Sequence, residues 1–377
     1  MMHTQLSING EATFKAIFKA IDAAQNTLHI QMFIWREDDI GLALALHVLN
    51  AADRGVKVTI VKDLMGGIFE FAEEGKKSLF HSQLPLKLRF MSHVLDLGYP
   101  MKGKPFIAFR TSHPLYKALL THPNIHLSVD TCLNDHSKFY IVDDHTLFIG
   151  GINVEDKEVT HDLLGRPYHD FMLMIHSEEV VAVFKNAHAS GNQSKATIVG
   201  EEFGFIMNRF IQHQPYFHAK ESLVALIQKT QNTLHIIMAY IGDVDITQAI
   251  IEAINRGVQV FLYLPEKANL QNDLNRLHLK NLMMACDNTI KVYLCKDMIH
   301  GKLLWFDEDL VTFGSTNLNI QAMSVLQELN VIYSASSHGH QKTLREAIDT
   351  IQKRSSLIAS YEQVTYNPVV AWIESKA

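Results

Sequence analysis

The residues best suited to chemistry are two histidines, each two positions before a lysine. His136 and Lys138 open the run HSKFYIVDDHTLFIGGIN, and His300 and Lys302 open HGKLLWFDEDLVTFGSTN. The same residue types recur from each His at the same offsets: Asp143, Gly150 and Asn153 in the first run, Asp307, Gly314 and Asn317 in the second. Three fixed residues are expected by chance about 0.05 times in a chain of this length. Two copies, each with Gly and Asn following in step, are not accidental. On a strand, residues two apart share a face, so each His and Lys should project together. Glycine permits close backbone approach and Asn supplies an amide donor. Gly150 with Gly151, and Gly314 with Ser315, mark where a phosphate would approach. Imidazole, ammonium and carboxamide groups around one point suit a phosphate diester, whose anionic oxygens want fixed donors and positive charge.

Having two histidines then sets the chemistry. One neutral imidazole can attack phosphorus and form a covalent phosphohistidine. The other, protonated, gives its proton to the leaving alcohol and then takes one from the incoming water or alcohol. No metal and no cofactor is expected, because the lysines carry the positive charge a metal would otherwise supply. Each histidine also needs a partner to fix its tautomer. Two carboxylates sit in comparable places at the start of the next apolar strand, Asp170 before FMLMI and Glu328 before LNVIY. The order along the chain pairs Asp170 with His136 and Glu328 with His300.

The elements that must position these groups are themselves duplicated. AQNTLHIQMF from Ala24 matches TQNTLHIIMA from Thr230. Each follows a helical apolar pattern, Phe14, Ile17, Phe18 and Ile21 in one and Leu223, Leu226 and Ile227 in the other. Each precedes a second helical stretch that ends in a shared Arg-Gly-Val, Arg54–Val56 and Arg256–Val258, and then a strand, KVTIV or QVFLYL. A helix–strand–helix–strand unit occurring twice predicts parallel strands with crossover helices. The hairpins turn at Asp143-Asp144-His145 and Asp307-Glu308-Asp309. The expected architecture is α/β, two homologous α/β/α halves forming a pseudo-dimer around one composite active site. The halves should divide within the small, polar stretch near Ser190–Gly200, giving domains 1–195 and 196–377, with an insertion at about 66–120 in the first.

The chain has 377 residues, 47% hydrophobic and 20% charged, with a net charge of −6. That balance argues against a general affinity for nucleic acid. The three cysteines, Cys132, Cys286 and Cys295, read as buried apolar residues of a reduced chain. The N-terminus lacks a signal-peptide pattern, and no apolar run approaches the ~20 residues of a membrane span.

The duplicated motif resembles the phospholipase D superfamily, marked by HxKxxxxD followed by Gly-Gly or Gly-Ser and Asn. FIWREDDIG, AADRGVKVTIVKD, GRPYHDF and QELNVIY look closer still to bacterial cardiolipin synthases, many of which carry N-terminal membrane helices. The resemblance extends from Phe14 to about Ile351. It implies two phospholipase D-like halves and a phosphatidyl transfer or phospholipase D reaction. It also implies that His136 is the nucleophile, that His300 is the general acid and base, and that Asp143 and Asp307 are more structural than catalytic. The partners it implies are a phospholipid substrate and an anionic membrane surface, reached by a cytoplasmic protein peripheral to the inner face of the membrane. The alternative activities are a nuclease of the same superfamily and a non-enzymatic lipid-binding relative.

Between Lys76 and Lys117 lie eight basic residues (Lys76, Lys77, Lys87, Arg89, Lys102, Lys104, Arg110 and Lys117) and one acid, Asp96. With Leu95, Leu97, Tyr99, Met101, Phe106 and Phe109, this stretch suits an anionic lipid surface. Most of the 21 histidines must be structural. His29 and His235 read as partly buried sheet residues, and His338 and His340 as a solvated loop. His122 and His126, four apart around Pro123, are not read as a metal pair. Arg166 reads equally as a phosphate ligand and as a solvated loop charge.

Overall fold

The structure, a computed structural model, describes residues 2–72, 78–81, 84–98, 112–131, 133–192, 194–198 and 201–375. They divide into two compact units, Met1–Tyr168 with Met172–Ala182, and His169–Phe171 with Val183–Ala377.

The first unit is built on a seven-stranded sheet. Its strands lie in the order His3–Ile8, Phe171–His176, Thr146–Gly150, Phe139–Val142, Thr27–Met32, Lys57–Lys62 and Ile125–Ser128. The second unit repeats that order with Glu201–Ile211, Glu328–Ser334, Leu310–Gly314, Lys302–Phe306, Thr233–Met238, Gln259–Pro265 and Lys291–Cys295. It adds strands Gln214–Phe217 and Ser355–Ile358 at the two ends. The expected crossovers are present. Thr27–Met32 runs parallel to Lys57–Lys62 across helix Asp39–Asp53, and Thr233–Met238 runs parallel to Gln259–Pro265 across helix Val244–Asn255.

Apolar periodicity explains how the helices seat. Phe14, Ile17 and Ile21 are buried with Leu44, Ala45 and Val48 against Leu28, Ile30, Val58 and Ile60. Leu223 and Ile227 are buried with Ile246, Ala249 and Ile250 against Leu234, Ile236, Val260 and Leu262. The shared Arg-Gly-Val closes the crossover helix in both units. Arg54 donates to the carbonyl of Ile21 at 2.9 Å, and Arg256 to that of Ile227 at 3.0 Å, each adding a second donor to a carbonyl that already accepts the N–H of its helix C-cap residue. Gly55 and Gly257 follow with φ of +101° and +93°, a backbone state that glycine enters without a Cβ penalty.

Register fixes which end of each sheet carries the site. In the first unit Met32 lies beside Lys62, Val61 beside Ser128, Gln31 beside Phe139 and Phe139 beside Ile149. The segments leaving Met32, Lys62, Ser128 and Gly150, and the one entering Phe139, therefore emerge at one end. The hairpin turn at Asp143 lies at the other.

Among the histidines, His29 stacks on Phe139 and His235 on Phe261, both half-buried in their sheets. Burial pushes the His235 imidazole down to about 4, so it is neutral at pH 7. The reading of His338 and His340 as a solvated loop is corrected. His340 is buried with Nδ1 3.1 Å from the Tyr333 hydroxyl, and the His338 ring lies 4.6 Å from that of Phe203. The turn folds back over the aromatic face of its own sheet, so the two rings pack instead of facing water. His122 accepts from the backbone N–H of Asn124 and faces Asp53 at 3.1 Å.

Of the insertion, helix Leu86–Gly98 is described and packs beside helix Gly66–Ala72. Lys76, Lys77, Tyr99, Met101, Lys102, Lys104, Phe106, Phe109 and Arg110 lie outside the described residues, as does Cys132. Among the described residues no helix is long and apolar enough to cross a membrane.

Candidate active site

Both motif hairpins fold alike. Strands Phe139–Val142 and Thr146–Gly150 pair antiparallel, as do Lys302–Phe306 and Leu310–Gly314. Asp143 and Asp144, and likewise Asp307 and Glu308, take left-handed backbone angles between +49° and +56°. Asp adopts that region more readily than most residues. The Asp143 carboxylate accepts from the backbone N–H of Gln25, Asn26 and Thr27 at 2.8, 2.6 and 2.9 Å. Asp307 does the same with Gln231, Asn232 and Thr233 at 3.0, 2.6 and 3.0 Å. Desolvation, the largest single influence, pushes both carboxyls up, but the backbone donors together outweigh it and hold them below the usual range. The repeated QNT is thus the hydrogen-bonding partner of the motif Asp. Asp143→Ala is expected to cost the protein about 1–2 kcal/mol in urea unfolding at pH 6. Because the folded carboxyl is held low, its contribution is complete above about 3.9, the unfolded value, and fades as pH falls through the folded one. Unfolding curves of wild type and variant are therefore expected to converge there.

The histidines sit just before their strands, where the backbone leaves the sheet. In the first unit the half-buried His136 ring meets the Phe33 ring edge-on at 4.8 Å. Lys138, fully buried, donates from Nζ to the His136 carbonyl at 2.5 Å and lies 5.4 Å from the Phe33 ring centre. In the second unit Lys302 is also buried and donates to the His300 carbonyl. Gly150 ends one return strand and Gly314 the other, with Gly151 and Ser315 buried next to them. A Cβ at Gly314 would overlap the Leu329 carbonyl oxygen and come within 2.6 Å of Asn330 Oδ1, so only glycine fits there.

Asn153 and Asn317 are both buried, and the Oδ1 of each has no hydrogen-bond partner among the described residues. Buried polar atoms are rarely left unpaired. Here the same acceptor atom is orphaned at the same motif position in both units.

The carboxylate pairing departs from the expectation. Asp170, expected to hold His136, lies with its Oδ2 2.8 Å from Nδ1 of His300. Segment His169–Phe171 belongs to the second unit, and the His169 carbonyl accepts from the N–H groups of His300 and Gly301 at 3.0 and 2.7 Å. That backbone clamp, not chain order, selects the partner. Burial, the largest influence on Asp170, would raise its carboxyl, but Lys302 and His300 beside it and the Phe171 N–H hold it below the usual range. An ionised Asp170 keeps a proton on Nδ1 of His300, which leaves the lone pair of the neutral ring on Nε2. Glu328, expected beside His300, is fully buried and accepts the Ser315 hydroxyl, whose Oγ in turn accepts the Leu329 N–H at 3.0 Å. Ser315 is thus tied into the sheet.

A family model described as cardiolipin synthase, PLD-like domain, matches residues 17–190 and 223–351, the two stretches that contain these hairpins. The chain belongs to that family. Among curated relatives, cardiolipin synthase 2 of Bacillus anthracis is 23% identical over 375 residues, covering 94% of this chain and 65% of the relative. Cardiolipin synthase of Geobacillus kaustophilus (strain HTA426) is 23% identical over 391 residues, covering 97% and 69%. The chain therefore spans about two thirds of the length of these relatives. Among solved structures, phosphatidylserine synthase of Haemophilus influenzae Rd KW20 aligns with a TM-score of 0.70 at 12% identity, over 99% of this chain and 92% of that one. That likeness is one of fold.

Two supports of the family's histidines were not found from the sequence. Asp63, buried at the end of strand Lys57–Lys62, accepts the N–H groups of Leu133 and Asp135 at 3.0 and 2.8 Å and so fixes the loop that leads into His136. Burial, the largest influence, pushes its carboxyl up despite those donors. His169 Nε2 meets Asp297 at 3.2 Å, and Asp297 is paired with Arg354 at 2.8 Å, which braces the backbone clamp on His300. The only sequence signal for either was position: Asp63 ends a core strand, and His169 precedes Asp170. Arg166 is not a solvated loop charge, because its guanidinium pairs with the buried Asp162 at 2.7 Å.

Proposed function

We propose that this chain cleaves a phospholipid phosphodiester and transfers the phosphatidyl group through a phosphohistidine, as a cardiolipin synthase-like transferase or phospholipase D. The duplicated motif gives two histidines opposite roles on one phosphodiester. Neutral His136 attacks phosphorus, and the bond to the leaving alcohol breaks as His300 protonates that oxygen. The incoming water or alcohol then loses its proton to His300 and attacks the phosphohistidine, which frees His136. Lys138 and Lys302 offset phosphate charge, and Asn153 and Asn317 supply amide groups to its oxygens. Gly314 instead serves close strand packing, since a Cβ there would meet the Leu329 carbonyl. The two halves proposed for this chemistry are residues 1–195 and 196–377, and the protein acts peripherally at the inner face of the membrane. The observation that carries this reading is Asp170 against Nδ1 of His300, the arrangement a proton-shuttling histidine needs.

The test is incubation of the protein with phosphatidylglycerol and phosphatidylethanolamine vesicles, with products identified by mass spectrometry. Cardiolipin supports transfer, and phosphatidic acid supports hydrolysis. Cleavage of DNA with no lipid product overturns the lipid reading.

A further inference from the structure

We infer that the His136 end of the first sheet is itself the membrane-docking face, with a rim of exposed apolar side chains that seats on an anionic bilayer. The inference rests on the proposed lipid reaction and names the surface that delivers its substrate. Three segments from that end carry the rim. Helix Leu86–Gly98 packs beside helix Gly66–Ala72, which starts just after Lys62 with Gly66 against the Phe33 carbonyl, past the end of strand Thr27–Met32. Leu86, Phe90 and Val94 recur along it at four-residue spacing, and Leu86 and Phe90 are 83% and 70% exposed. Residues so spaced share one helix face. Ser92, on the opposite face, is buried. The helix thus turns its apolar side outward, the reverse of a helix packed on a core.

The second segment leaves Gly150. Within it Leu163 and Leu164 are 61% and 54% exposed. They are held out by a built turn and do not hang from a loose loop. Asp162, whose carboxylate is buried, accepts the N–H groups of Leu164 and Arg166 at 2.9 and 3.0 Å and pairs with the Arg166 guanidinium. Gly165 completes the turn at a φ of +72°. A part-buried ion pair within the turn that carries the two leucines is suited to presenting them rigidly. The third segment enters Phe139 and carries exposed Leu133, three residues before His136. Elsewhere in this unit, the exposed large apolar residues among those described are Leu46 on a helix flank and Leu120.

Charge selects the occupant. Helix Leu86–Gly98 carries Lys87 and Arg89 and one acid, Asp96, near its end. Lys87 is exposed on the same face as Phe90. Apolar groups interleaved with positive charge match an anionic lipid surface, where burial and electrostatic attraction add.

The experiment is flotation with vesicles of phosphatidylglycerol and phosphatidylethanolamine, with phosphatidylcholine vesicles as the neutral control. Phe90→Glu with Val94→Glu, and separately Leu163→Glu with Leu164→Glu, are each expected to lower partitioning onto anionic vesicles by about tenfold or more. Both should keep wild-type circular dichroism and wild-type turnover of a monomeric short-chain phosphatidylglycerol. His136→Ala is expected to float as wild type does. Wild-type protein that does not float, or variants that float equally, overturn the inference. So does a dimer that both variants dissolve while flotation is unchanged, since that assigns the face to a second copy of this chain. If no lipid is turned over yet flotation falls in the variants, the proposed chemistry fails and the docking face stands.

Discussion

Asp170→Asn is expected to lower turnover by about a thousandfold to ten-thousandfold while the protein stays folded, close to the loss expected from His300→Ala. The carboxylate lies 2.8 Å from Nδ1 of His300 and is held ionised by Lys302 and His300 against its burial. An Asn there keeps the shape but can offer an N–H to Nδ1. That stabilises the neutral tautomer with the proton on Nε2, so the ring cannot take a proton there from the incoming water or alcohol. It also withdraws the negative charge that stabilises imidazolium once His300 has taken a proton. Glu328→Gln tests the alternative pairing, because chain order would have placed Glu328 on His300. Steady-state turnover of a phospholipid by the two variants, with circular dichroism as a check on folding, separates them. Turnover within tenfold of wild type for Asp170→Asn, beside a large loss of His300 function in Glu328→Gln, would sink the assignment.

That swap shows where the sequence stops being legible. The hairpins, their acidic turns and the duplicated crossover units could all be read because each depends on contacts within a few residues or on a repeat that declares itself. QNTLHI and Arg-Gly-Val could be seen as repeated, but not why. Their reasons are a turn aspartate more than a hundred residues from Gln25 and a helix carbonyl some thirty residues from Arg54. Asp170 is legible in the sequence as a carboxylate in the right kind of place, but the histidine it meets is not. Its segment is held by two backbone N–H groups about 130 residues away, and nothing in GRPYHDF records that clamp. His340 failed for a related reason. SSHGHQ reads as polar, and only the fold places Tyr333 beneath it.

The second large effect is on stability. Glu70→Ala is expected to destabilise the protein by about 3–5 kcal/mol in urea unfolding. Glu70 and Lys62 are both fully buried, with Oε1 and Nζ 3.0 Å apart. The same Oε1 accepts the Trp35 N–H at 2.7 Å, and Lys62 donates to the Asp63 carbonyl at 2.8 Å. Removing the carboxylate strands a buried ammonium and leaves a buried N–H without its acceptor. The paired change Lys62→Met with Glu70→Leu removes both charges, so it is expected to cost less than Glu70→Ala alone, leaving chiefly the Trp35 N–H unsatisfied. A Glu70→Ala protein within 1 kcal/mol of wild type would refute this account. Apolar residues could fill this space at lower cost, so the charges call for another reason to be there. Asp63 follows Lys62 directly and holds the N–H groups of Leu133 and Asp135, the residues that lead into His136. Glu70 also receives Arg36 at its carbonyl oxygen, and Arg36 pairs with buried Glu155 at 2.6 Å, joining the segments that leave Met32, Lys62 and Gly150. A buried ionic network that ties together the loops around His136 trades stability for placement. The paired variant should therefore recover stability more completely than it recovers turnover.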